Sequence, residues 1–124
     1  MVDYHYDANN ILTTPLNNIT GPYILSGITK IHDKIKNQGL TAKLNIVDNE
    51  VSEDLKQYSK DSDIQFQLMP PHMHQINAAE GAMRTFKNHF IAALCTVEPI
   101  LSFYLWDRLL PQDTMTLNML RQYQ

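Results

Sequence analysis

With 124 residues, 44% of them hydrophobic and 9% aromatic, the chain is large and apolar enough for one small folded domain, which excludes a disordered tail. No run approaches the roughly 18 continuous apolar residues of a membrane span, and Met1-Val2-Asp3-Tyr4 lacks the basic and apolar features of a signal peptide, so a soluble intracellular protein with no membrane partner is expected. A formal net charge of −3 excludes nucleic-acid binding by bulk electrostatics and leaves only a local site.

The acids gather early: nine acidic against six basic residues through Asp63, then four of each. Cys95 is alone, so an intramolecular disulfide is excluded, and its Ala-Ala-Leu-Cys context predicts a buried helix position.

The first 16 residues read as a hairpin, with strands over Met1–Tyr6 and Ile11–Leu16 and a turn at Asp7-Ala8-Asn9-Asn10. A helix follows over 20–38. Pro22 suits its first turn, Ile24, Ile28, Ile31 and Ile35 form one apolar stripe, and Gly39 suits the position just past its end.

Leu44-Asn45-Ile46-Val47 has the profile of a buried strand and ends on Asp48. Ser52 is placed to cap a short helix with Leu55 and Tyr58 inward, and Ile64, Phe66 and Leu68 alternate with glutamines as another strand. Pro70-Pro71-His72-Met73-His74 is a loop, since two prolines exclude regular structure.

From Asn77 to about Cys95 the pattern is helical, with Ala79, Met83, Phe86, Phe90 and Leu94 on one face. Over 99–124 more helix is expected. One segment is capped by Ser102, carries Phe103, Leu105, Trp106 and Leu109 and ends at Pro111; another, amphipathic, runs from Asp113 with Met115, Met119 and Leu120. Strands alternating with helices in the middle imply parallel pairing there, with the hairpin antiparallel at one edge. An α/β fold with a mixed sheet flanked by helices is the expectation.

Asp48 falls where a buried strand ends, the place where ligands collect in open sheets, although an Asp-Asn pair after a strand is equally a turn. Glu80 lies in the first turn of the long helix, where the helix dipole favours an acid whatever its role. Arg84 and Lys87 lie within about 40° of Glu80 around the helix axis and roughly 90° from the Met83/Phe86/Phe90 stripe. That edge is either a groove-lining row of charge or a solvated face with an ordinary Glu-to-Arg pair. His72 and His74 could present two imidazoles on one side, but no cysteine or acid at zinc-site spacing completes a set, which favours a loop.

Taken together, Asp48-Asn49-Glu50, Phe66 to His74, Asn77-Ala78-Ala79-Glu80, Arg84 to Ala92 and Leu105 to Gln112 resemble the catalytic core of retrotransposon integrases of the copia-like and retroviral type. The resemblance covers more than half of the chain and implies a ribonuclease H-like mixed sheet and DNA integration by metal-dependent strand transfer. It implies that Asp48 and Glu80 are the second and third acids of an Asp, Asp, Glu set holding Mg²⁺ or Mn²⁺. It also implies that Arg84 and Lys87, with Asn77 and His74 in the adjoining motif, face DNA, both element ends and target. In such sites two cations about 3.5–4 Å apart activate the attacking oxygen and stabilise the leaving one.

This sequence departs from the pattern at the family's first acid, which belongs to a strand upstream of the hairpin; the expectation is therefore an N-terminally truncated core, inactive by itself. Asp3 and Asp7 are poor substitutes, and Glu50 reads as loop surface. Gly81 stands where relatives often carry Arg. A zinc-binding N-terminal domain and a basic C-terminal domain are not recognisable. The competing reading is a non-catalytic module that binds nucleic acid or forms a homodimer, with Phe103, Tyr104 and Trp106 as core or dimer face, or an element remnant without a selected role. The family role would place the protein in the nucleus of a eukaryote.

Overall fold

In the computed structural model, which describes residues 1–47, 51–69, 78–97 and 103–121, the chain is an α/β structure. The described residues form β1 (Val2–His5), β2 (Asn10–Thr13), α1 (Gly21–Asn37), β3 (Leu44–Val47), α2 (Glu53–Asp61), β4 (Gln65–Leu68), α3 (Ala78–Thr96), a 3₁₀ turn (Phe103–Leu105) and α4 (Trp106–Arg121). Contacts divide the chain into two units, Leu16–Ile76 and the pair of segments Met1–Pro15 and Asn77–Gln124. Among the described residues no helix is long and apolar enough to cross a membrane.

In the Leu16–Ile76 unit, α1 begins with Pro22 in its first turn and buries Gly27, Ile31 and Ile35. It stops in a Schellman turn. The Gly39 N–H donates to the Lys36 carbonyl (2.9 Å) and the Leu40 N–H to that of Ile35 (3.2 Å), with Gly39 at φ 77°, a conformation that costs glycine little. Ser52 caps α2, its Oγ accepting from the Leu55 N–H at 3.3 Å.

β3 and β4 pair in parallel, Leu44 opposite Gln65 through Val47 opposite Leu68. On α1, His32 meets the Tyr58 hydroxyl of α2 at 3.0 Å and Asn45 Oδ1 of β3 at 3.3 Å. The helices therefore cover the sheet face that carries Asn45. Leu44 and Ile46, on the opposite face, remain 46% and 39% exposed.

In the other unit β1 and β2 form an antiparallel hairpin with Tyr4 opposite Ile11. Val2 and Tyr4 pack with Phe90 against a core of Ile11, Ala82, Phe86, Leu110 and Leu117, so one face of the hairpin lies on α3 and α4. Across α4 and β2 the Thr13 and Thr114 hydroxyls are hydrogen-bonded at 2.6 Å in the interior.

Several expectations are corrected here. The strands form two separate two-stranded ladders, β1-β2 and β3-β4, and among the described residues none joins the hairpin to the parallel pair in a single mixed sheet. Pairing at each ladder is local or bridged by one helix.

Pro111 does not end a helix, because α4 runs through it to Arg121. An interior proline costs about 3 kcal/mol. Burial of Leu110, Asp113, Thr114 and Leu117 along one continuous face offsets that cost. The same phase leaves Met115, Met119 and Leu120 outward, at 52%, 60% and 63% exposed.

On α3 the inward positions are Ala82 and Phe86, not Met83, which is 52% exposed, and Cys95 is exposed rather than buried. Phe86 and Phe90 face inward as expected, but the inward face extends to Ala82 and His89 instead of Met83, which carries His89 toward α4. The glutamine-rich strand, the Ser52 cap and the parallel pairing agree with the sequence reading.

Candidate nucleic-acid interface

α3 is a 19-residue helix whose first turn carries Glu80. Alanines at 78, 79 and 82 favour helix, and Phe86 with Ala82 fixes its buried side, so the orientation of the charged side chains follows from packing. Glu80 is half-buried, while Arg84 and Lys87 are both exposed. These two cations make no ion pair or hydrogen bond among the described residues. Met83 and Ile91, 52% and 49% exposed, lie on the same outward side at positions flanking Lys87 by one turn each.

The result is a strip in which a guanidinium and an ammonium, neither paired among the described residues, stand one turn apart beside exposed Met83 and Ile91. Such a strip neutralises phosphates along a backbone and offers apolar contact beside them. Gly81 extends the strip without a side chain, and a Cβ there would meet nothing within 4 Å.

Of the remaining residues singled out in the sequence, Asp48, Glu50, His72, His74, Asn77 and Ser102 lie outside the described residues. Glu80 is thus the one implied metal ligand that the structure describes. Among the described residues no three His, Cys, Asp or Glu side chains converge where a cation could sit.

The hairpin acids do not supply such a cluster. Asp3 alternates with Val2 and Tyr4, so its carboxylate leaves β1 on the face away from α3 and α4, and Asp7 is exposed in the turn.

Polar groups between α3, α4 and β2 were not legible as a set in the sequence. His89 Nδ1 lies 2.8 Å from Asp113 Oδ1, with the Asp113 side chain only 4% exposed and the other carboxylate oxygen without a partner among the described residues. Asn118 takes both backbone groups of Ile11. The available signal was the 110, 113, 114, 117 spacing, which fits a buried helix face even though two of its four members are polar.

No protein family, no curated protein sequence and no solved structure matches this chain.

Proposed function

We propose that the chain is a nucleic-acid-binding module of integrase-core type, with a ribonuclease H-like arrangement, that contacts the DNA backbone through α3. The observation that carries this reading is the exposure of Arg84 and Lys87, unpaired among the described residues, on one side of the helix that Glu80 opens. The order of hairpin, helix, parallel β-α-β and Glu-bearing helix supports the finer fold, because it is the order that the resemblance requires.

Asp48 and Glu80 are the carboxylates through which Mg²⁺ or Mn²⁺ would be held, and hard oxygen ligands suit those ions. A bound divalent ion would supply activation of an attacking oxygen. This chain's own contribution is the binding strip, in which Arg84 and Lys87 position a backbone and Asn77 and His74 adjoin it in sequence.

The test is DNA affinity measured by fluorescence anisotropy across a salt series. Arg84→Ala/Lys87→Ala is expected to flatten the dependence of log K on log salt by about 1.8, two phosphate contacts at roughly 0.9 each. An unchanged slope in the double variant would remove α3 as the interface.

A further inference from the structure

Among the described residues four strands leave four outer edges, and two of them are guarded. β2 is closed at Ile11 by the Asn118 carboxamide. β1 carries Asp3 at its centre, so that a second β1 laid antiparallel on it would oppose carboxylate to carboxylate. β3 is uncharged only over the four residues Leu44–Val47 and has Lys43 directly before it.

β4, flanked by Asp63, has a longer uncharged run than β3. From Ile64 through Met69 the sequence is Ile-Gln-Phe-Gln-Leu-Met, without charge, proline or glycine. Its ladder to β3 fixes which backbone groups are spare. The Gln65 N–H donates to the Lys43 carbonyl (2.8 Å) and the Met69 N–H to that of Val47 (3.0 Å), so Gln65, Gln67 and Met69 turn their backbone groups toward β3. Phe66 and Leu68 turn theirs outward, and neither makes a hydrogen bond among the described residues. Leu68 is also 46% exposed.

We infer that the outer edge of β4 pairs antiparallel with β4 of a second copy of this chain, on a two-fold axis through Gln67. In that register Phe66 lies opposite Leu68 of the second copy and the reverse, each pair exchanging both N–H···O bonds. The two Gln67 side chains face each other, uncharged and able to donate and accept.

The pairing fuses the two parallel pairs into one sheet. It also makes continuous the open face on which Leu44, Ile46, Gln65 and Gln67 lie, and a parallel ladder bare on one face is otherwise rare. A second copy is favoured over another protein because the edge is self-complementary: its spare donors and acceptors match under the two-fold, and no like charges meet.

This inference does not depend on the α3 interface, since β4 contains neither cation and the association is read without nucleic acid. Sedimentation of the full chain over a concentration series is expected to show reversible dimerisation. Gln67→Lys and Gln67→Glu each place like charges face to face at the axis and are expected to weaken it by about tenfold or more, with unchanged far-ultraviolet circular dichroism. An equimolar mixture of the two variants is expected to associate again as a heterodimer. A strictly monomeric wild-type chain, undiminished association of Gln67→Lys, or a mixture that stays monomeric would each overturn the inference.

Discussion

Asn118 serves Ile11 as a neighbouring strand would: its Oδ1 accepts from the Ile11 N–H at 2.9 Å and its Nδ2 donates to the Ile11 carbonyl at 2.7 Å. Ile11 is fully buried, so these backbone groups have no route to water. Asn118→Ala is expected to destabilise the fold by about 1–3 kcal/mol, read from the midpoint of urea unfolding. Asn118→Asp keeps the acceptor but sets a carboxylate against the carbonyl, and no recovery of stability is expected from it. A midpoint unmoved by either substitution would mean that β2 is held without the clamp.

The His89–Asp113 pair makes a prediction about order rather than size alone. His89 is 29% exposed at its side chain and can turn to solvent, but the Asp113 carboxylate is enclosed. His89→Leu therefore leaves a buried anion without its hydrogen bond and is expected to cost about 2–3 kcal/mol, more than Asp113→Leu. The double variant His89→Leu/Asp113→Leu is expected to regain most of that loss. Equal, additive losses in the cycle would show that the two groups are not coupled.

What the sequence disclosed and what it hid divide along a physical line. The position of β3, the Ser52 cap and the Pro22 and Gly39 ends of α1 were legible because each depends on a few adjacent residues, but β3 is not the buried strand expected, with Leu44 and Ile46 46% and 39% exposed. α4 was not, since its passage through Pro111 is decided by burial against β2, a hundred residues away in sequence. His89, Asp113, Thr114 and Asn118 were hidden for a related reason: each is an ordinary surface type whose burial depends on a partner supplied by another element. On α3, helical phase gave the exposure of Arg84 and Lys87 and the burial of Phe86, while Met83 was wrongly assigned to the inward stripe.

Glu53 gives a pH prediction of small size. Its hydrogen bond from Lys56, reinforced by the charge of that ammonium, holds the carboxyl below its ordinary value of 4.5. A depressed carboxylate stabilises the fold above the ordinary value, and the contribution is lost as pH falls through the lower, folded value. Because Glu53 is fully exposed, salt screens the pair, and the acid-side loss is expected to shrink in about 1 M NaCl. Glu53→Gln should remove this part of the pH dependence while α2 remains folded. A profile identical to that of the wild type at low salt would count against it.

Gly81 separates stability from binding on α3. It is exposed within the helix, and a Cβ there meets nothing within 4 Å, so Gly81→Ala is expected to stabilise the protein by about 0.5–1 kcal/mol and raise Tm by a few degrees. Gly81→Arg should also add a cation beside Arg84 and steepen the salt dependence of DNA binding by about 0.9. A steeper slope with Ala would show that the change acts through folding and not through charge.

The acids make the last prediction. A two-cation site requires carboxylates that converge, and of those in this sequence the resemblance matches two, Asp48 and Glu80. Asp3 leaves β1 on the face away from α3, and Asp7 lies exposed in the hairpin turn, so neither comes to the Glu80 side of its unit. Two acids would hold a divalent ion more weakly than three. With Mg²⁺ or Mn²⁺, the chain by itself is therefore expected to bind DNA but to produce no strand transfer or nicking on a labelled duplex. A divalent-dependent activity lost in both Asp48→Ala and Glu80→Ala would overturn that expectation and would require a third ligand from elsewhere in the chain.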